Sequence, residues 1–219
     1  MELVKSDNQI KNENLRILYK TLDEQHIPIK WRNVTFAGLS TPRDLNPQQK
    51  INYLALLEKI RNIDIYNCGK IVTLSSKSNG VGKTHLLFCL YKKFIWDCIQ
   101  AGNKPSTKFT KEYDFFLDIQ ETFKPSVFKS EKEVMEEYTS KRRLLAIDDL
   151  FATKDNDFGR QRILMLLDKR SDHLGFPTII STNLSLQEIN SIDTRIASRI
   201  DNEYFFDLSG LTMDFRKFN

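Results

Sequence analysis

Cysteine is scarce in this sequence and poorly placed for chemistry: Cys68, Cys89 and Cys98 are the only three in 219 residues, odd in number and without C-x-x-C spacing. Only three histidines accompany them, so neither a disulfide framework nor a zinc-ligand pattern is present. The thiols read as reduced and mostly buried, as in a cytoplasmic protein. Long apolar runs are missing too. No segment approaches the ~20 apolar residues that cross a bilayer, and the opening MELVKSDNQIKNENLRILYK lacks a signal-type core, so a soluble chain with no membrane partner is expected. There is no internal repeat and no low-complexity tract, which argues against a solenoid. Neither sign of charge dominates: 33 basic against 29 acidic residues leave a net +4, which permits a nucleic-acid partner without requiring one. What is present is apolar content, 40%, enough to build the core of one ordinary domain.

Residues 8–25, NQIKNENLRILYKTLDEQ, set Ile10, Leu15, Ile17, Leu18 and Leu22 near one helical stripe. Such a helix suits either docking to a partner or packing on its own domain, and residues 1–29 are taken as an N-terminal helical extension of a core over 30–219. A loop at STPRDLNPQQ precedes a second helix, QQKINYLALLEKIRNI, with Ile51, Leu54, Leu57 and Ile60 near helical spacing. From there, strands alternate with helices. KIVTLSS (70–76) is a short apolar, β-branched run, and KTHLLFCLYKKFIWDCIQAG (83–102) a helix with glycine at its end. A weak strand TKFTK, helices EYDFFLDIQETF and EKEVMEEYTS, and the buried strand RRLLAIDDLF (142–151) follow. The helix GRQRILMLLDKRSDHLG, the strand PTIISTN (177–183), a short helix holding IDTRIASRI and a last strand EYFFDL complete the series. This order implies right-handed crossovers and a mostly parallel sheet covered on both faces, an α/β fold.

Glycine is rare, 8 residues in all, which makes the stretch SSKSNGVGKTHLL (Ser75 to Leu87) informative. It meets the phosphate-loop pattern G-x-x-x-x-G-K-[ST] at Gly82, Lys83 and Thr84, between a strand and a helix, but Lys77 occupies the place of the first glycine. Such loops surround phosphates with backbone N–H groups and a helix N-terminus, because several partial positive charges must converge without bulky side chains between them. The candidate nucleotide-binding set is Asn79, Gly80, Val81, Gly82, Lys83, Thr84 and His85. Gly80 and Gly82 supply backbone freedom, Lys83 reaches the β- and γ-phosphates, and Thr84 offers its hydroxyl to Mg²⁺. Lys77 either takes an ordinary turn conformation or loosens binding. A magnesium–nucleotide site also needs a carboxylate at the end of a neighbouring strand, and LLAIDD places Asp148 there for the metal, with Asp149 as general base. TIISTN ends a third core strand on Ser181, Thr182 and Asn183, and Asn183 is aimed between γ-phosphate and attacking water or else caps a helix. IDTRIASRI sets Arg195 and Arg199 four apart on one helical face, which makes either a solvated surface or an arginine finger for a neighbouring subunit.

In that order and at that spacing, NGVGKTHLL, LLAIDDLF, PTIISTNLS and RIASRI resemble the AAA+ ATPases of the DnaC/DnaI helicase-loader group, with the related IstB transposition ATPases, over roughly residues 28–219. The resemblance implies an AAA+ type P-loop NTPase with a parallel five-stranded sheet flanked by helices, a short N-terminal extension and little or no C-terminal lid. It implies ATP and Mg²⁺ as cofactors, Lys83 and Thr84 as the Walker A residues, and Asp148 and Asp149 as the Walker B pair. By the same resemblance Asn183 is sensor 1, Arg199 the arginine finger with Arg195 beside it, and Arg216 of SGLTMDFRKFN a sensor 2 equivalent. The sequence departs from the group at Lys77, at Asp149 where many relatives carry glutamate, and in its N-terminal region, which has no cysteine before residue 68 and so no zinc-bearing module.

The function implied is an ATP-dependent loader that binds a replicative DNA helicase, self-assembles with ATP and helps place the helicase on single-stranded DNA. Basic runs such as KPSTKFTK and SKRR suit single-strand binding, and KFTKEYDFF adds aromatics, although Phe115 and Phe116 also suit a core. An IstB-like ATPase assembling on duplex DNA and a weakly hydrolysing helicase regulator are the alternatives. A small-molecule kinase would need a base-binding lid and an acceptor site, and the sequence shows neither an arginine-rich lid nor an alternative role for Asn183.

Overall fold

The structure is a computed structural model that describes residues 7–39, 45–126, 128–152, 157–200 and 202–209. Helix α1 (Asp7–Glu24) leads through the single turn α2 (Ile29–Arg32) and a 3₁₀ turn at Phe36–Gly38 to α3 (Pro47–Arg61). Asn46 caps α3 in a capping box with Gln49, and Pro47 occupies its first position, where a missing N–H costs nothing. Strand β1 (Ile71–Ser75) then enters the core, followed by α4 (Lys83–Gln100), β2 (Thr107–Lys111), α5 (Glu112–Glu121), α6 (Glu131–Tyr138) and β3 (Leu144–Leu150). The series closes with α7 (Asp157–Asp168), β4 (Thr178–Thr182), α8 (Leu186–Ile192), α9 (Thr194–Arg199) and β5 (Phe205–Asp207). All strand pairs are parallel, in the order β2-β3-β4-β1-β5.

Burial on both faces explains why the central strands β1, β3 and β4 read as largely apolar runs, unlike the edge strand β2 with its sequence TKFTK. Leu144 and Ala146 of β3 join one hydrophobic cluster, with Leu22, Ile60, Leu74, Phe88 and Phe94. Their neighbours Leu145 and Ile147 turn to the other, with Phe115, Tyr138, Ile163, Leu166 and Ile180, because successive strand side chains alternate. Helix α1 packs on its own domain: Leu18 and Leu22 are buried in the first cluster, while Ile10 and Ile17 of the same predicted stripe stay exposed. In α3 the buried side is Tyr53 and Ile60, and the expected core positions Ile51 and Leu54 face solvent. Tyr53, Leu56, Leu57 and Ile60 are the residues spaced i, i+3, i+4, i+7, and they outcompete the wider pattern. Phe115 is fully buried and Phe116 packs on the second cluster, so neither forms a free stacking platform.

The helix expected over GRQRILMLLDKRSDHLG changes its winding at Lys169–Leu174, where a π-helical turn follows α7. This turn swings Arg170 fully inside. Its guanidinium donates to the carbonyl oxygens of Tyr138, Thr139, Arg142, Arg143 and Pro177 and to the Thr178 hydroxyl, at 2.8–3.0 Å. Burial pushes Arg170 down to about 9, which leaves it charged at neutral pH while its donors tie the starts of β3 and β4 together. No helix among the described residues is long and apolar enough to cross a membrane.

Candidate nucleotide-binding site

The carboxyl ends of β1, β3 and β4 converge because β4 inserts between the other two. From β1 the chain turns at Ser76, whose hydroxyl accepts from the Ser78 N–H at 3.1 Å, and winds through Gly80 (φ 78°) to Gly82 (φ 94°). Both glycines sit in the left-handed region that other residues enter only with strain. Gly82 is the N-cap of α4 and brings no side chain to cap it, so N–H groups of the helix's first turn point out of its end, the arrangement that attracts anions. Lys77 is not among the positive-φ residues; it takes the ordinary turn conformation that the missing glycine left open.

Lys83 is buried, with its ammonium donating to the carbonyl oxygens of Ser76 at 2.9 Å and Ser78 at 3.1 Å. Thr84 Oγ1 lies 3.1 and 3.2 Å from the two carboxylate oxygens of Asp148. The structure thus brings together the two residues that the sequence assigned to one cation. Burial raises the Asp148 pKa above the usual carboxylate range, the adjacent Asp149 adds to the rise, and the Ser181 and Thr84 hydroxyls oppose it. Ser181 donates to Asp148 Oδ1 at 2.5 Å and accepts the Asp149 N–H at 2.9 Å. Sequence reasoning assigned Ser181 no role; its position in the polar run of TIISTN was the only signal.

Asp149 lies in a β-bulge, where the pairing of β3 with β4 shifts register between Ile147 and Leu150. Its φ of 58° and that of Phe151, 64°, are left-handed without glycine's freedom, a strain of about 1–3 kcal/mol each. Strain at a strand end re-aims a side chain, and neighbours hold it: the Phe151 N–H donates to buried Glu112 at 2.9 Å, and Thr182 Oγ1 to the Leu150 carbonyl at 2.8 Å. Glu112 was also missed, since an acid opening a helix reads as an ordinary dipole partner. Asn183, one residue past β4, has a buried Oδ1 without a hydrogen-bond partner among the described residues. An unsatisfied buried amide oxygen costs about 1–3 kcal/mol, the kind of deficit that the O–H of a bound water relieves. Glycines, buried lysine, hydroxyl–carboxylate pair and orphaned amide together fit a magnesium–nucleotide.

The other expected residues lie elsewhere. His85 Nε2 is 2.9 Å from the Thr35 carbonyl; since that oxygen only accepts, Nε2 carries the proton. Its side chain therefore anchors the segment before α3, aided by Lys92, which donates to the carbonyls of Arg32 and Val34 at 2.7 and 2.9 Å. Burial lowers the His85 pKa. Arg199 pairs with Asp168 at 2.5 Å and Asp172 at 3.0 Å, and Arg195 with its helix N-cap Asp193 at 2.7 Å. Neither arginine is joined to the phosphate loop of its own chain by a described contact. Arg216 lies outside the described residues. The described residues hold no cluster of metal-ligating side chains of the zinc kind, and burial pushes the Cys89 and Cys98 thiols up to about 12 and about 11.

No protein-family profile matches the chain, and no curated protein matches it by sequence. Solved structures do. DnaI superposes with a TM-score of 0.58 at 18% identity, over 87% of this chain and 94% of that one. The DnaC helicase loader gives 0.55 at 19% identity, over 82% and 99%. A replication initiator DnaA bound to AMPPCP and single-stranded DNA gives 0.58 at 17% identity, over 83% of this chain but only half, 50%, of that one. Identities this low establish the fold and leave the chemistry to the residues. With its parallel five-stranded sheet and flanking helices, the chain has the AAA+ P-loop NTPase fold of these helicase-loader and initiator structures.

Proposed function

We propose that this chain is an ATP-dependent loader of a replicative DNA helicase, working in the cytoplasm at the start of DNA replication. The observation that carries the reading is the meeting of Thr84 with Asp148 beneath the glycine loop, beside an Asn183 oxygen without a partner among the described residues, on a fold that spans nearly all of the DnaC helicase loader. Bound ATP with Mg²⁺ supplies a phosphoanhydride bond and the charge that polarises it. The chain's residues do the rest. Lys83 exchanges its carbonyl partners for phosphate oxygens, Thr84 and Asp148 hold the cation, and Ser181 keeps the Asp148 carboxylate oriented. Asp149, set by the bulge, takes the proton of the attacking water, and Asn183 orients that water. Hydrolysis by a single chain would be slow in this scheme, because Arg195 and Arg199 are engaged by Asp193, Asp168 and Asp172 and have no described contact with the loop that would hold the phosphates. Arg199 is assigned as the finger given to a neighbouring copy, after release from Asp168 and Asp172, with Arg195 as its outer partner. Arg216 is the remaining candidate for the nucleotide's own subunit.

A DnaA structure of this fold is bound to AMPPCP and single-stranded DNA, which supports proposing both as ligands of this chain. The test is retention of the replicative helicase on the immobilised protein with ATP, with ADP, and with single-stranded DNA added. Helicase retained with ATP and transferred to the strand is the expected result. No retention under any condition overturns the loader assignment, and long oligomers on duplex DNA would replace it with a transposition ATPase. Arg199→Ala should leave nucleotide affinity of the monomer within about twofold and lower turnover in assemblies by about 10³-fold, the low end of what a finger contributes.

A further inference from the structure

The residue that breaks the phosphate-loop pattern has a partner of its own. Lys77 Nζ lies 2.8 Å from Glu188 Oε1. The other oxygen of that carboxylate, Oε2, accepts the Ser185 N–H at 2.8 Å and the Ser185 hydroxyl at 2.7 Å, closing the capping box that starts α8. One carboxylate therefore holds the helix after β4 with one oxygen and the loop after β1 with the other. Two more bonds join the same pieces: Ser75 Oγ donates to the Leu184 carbonyl at 2.7 Å, and the Ser76 N–H to the Thr182 carbonyl at 3.1 Å. Asn183 sits between these ties with its buried oxygen, which has no partner among the described residues. Lys77 and then Ser185 hold the Glu188 carboxyl down to about 2, so it is charged at neutral pH. A glycine at position 77 would keep the turn and lose the tie.

We infer that Lys77 and Glu188 form a latch between the phosphate loop and α8, positioning Asn183 for hydrolysis while phosphate binding stays with Gly80, Gly82 and Lys83. The inference rests on the ATP-site reading above. Lys77 is a positioning residue, with its ammonium directed at α8. Both partners are substantially exposed, with side chains 65% and 40% accessible, so the latch contributes modestly: exposed pairs shift equilibria by about two- to fivefold.

The test compares Lys77→Met, Glu188→Gln, their double variant and Lys77→Arg. Glutamine keeps a capping box, so Glu188→Gln removes the charge pair and leaves the helix start. Three readouts are taken: ATP affinity by titration, turnover resolved into kcat and KM, and amide exchange at Leu184 and Ser185 without nucleotide. The latch predicts that each single variant lowers kcat about threefold with KM unchanged and speeds exchange at those amides about threefold. The double variant should be no worse than either single one, and Lys77→Arg should behave as wild type. Unchanged kcat and exchange in the single variants would overturn the inference, as would multiplying losses in the double variant or an effect confined to KM. If the wild type binds no ATP, the ATP-site reading fails by itself, and the exchange measurement still decides whether the latch exists.

Discussion

Asp148 is 3% exposed and lies beside a second carboxylate, Asp149; a charged carboxyl in that position works against folding unless a cation joins it. Its pKa is raised in the folded state, so the stabilisation belonging to its neutral form is fully present below the unfolded carboxyl pKa and is lost as pH rises through the folded value. At neutral pH the fold therefore carries a cost that asparagine, of the same shape and able to keep the Thr84 and Ser181 hydroxyls as partners, would remove. Asp148→Asn should raise Tm by about 2–4 °C at pH 7, gain little at pH 4, and abolish magnesium-dependent turnover; thermal unfolding at the two pH values checks it. Arg170 is the opposite case, a buried charge whose donors all meet acceptors. Arg170→Met takes a donor from five carbonyls, three of them in buried bonds, and should cost about 3–5 kcal/mol in urea unfolding. Lys83, Thr84 and Asp148 could be read from the string because each belongs to a local pattern. Ser181, Glu112 and the Glu188 partner of Lys77 could not, since their roles arise only when strands far apart in sequence align.

At the scale of elements, the strand–loop–helix from Ile71 to Gln100 was legible because its periods change abruptly, from a continuous apolar strand to an amphipathic helix around two glycines. The bulge at Asp149 was not, because nothing in LLAIDDLF distinguishes a straight strand from one that kinks after Asp148. The π-helical turn at Lys169–Leu174 was hidden for the same reason: its residues suit an ordinary helix, and the carbonyls that meet Arg170 beside it come from segments distant in sequence. For α1 the sequence left docking and self-packing open, and burial of Leu18 and Leu22 against α4 favours packing. Leu22, fully buried, is a direct probe: Leu22→Ala should destabilise the whole domain by about 3 kcal/mol, in a single unfolding transition. A separate early transition for α1 would show that it is an appendage.

At the scale of the molecule, strand order makes the site. Placing β4 between β1 and β3 sets Ser181 and Asn183 between the lysine loop and the aspartates, in the crevice at the strands' carboxyl ends where open α/β sheets bind ligands. Alternation of strands and helices was enough to predict the parallel sheet, whereas it could not order the strands or show that His85 faces the N-terminal segment. In the proposed function this crevice binds ATP with Mg²⁺ through Lys83. Calorimetric titration of ATP into the wild type and into Lys83→Ala, each shown to be folded by circular dichroism, tests it most directly. Saturable, magnesium-dependent binding is expected in the wild type, with affinity weakened at least about 10-fold in the variant; equal affinities in the two proteins, or no binding to the wild type, would rule out an ATP site built on Lys83.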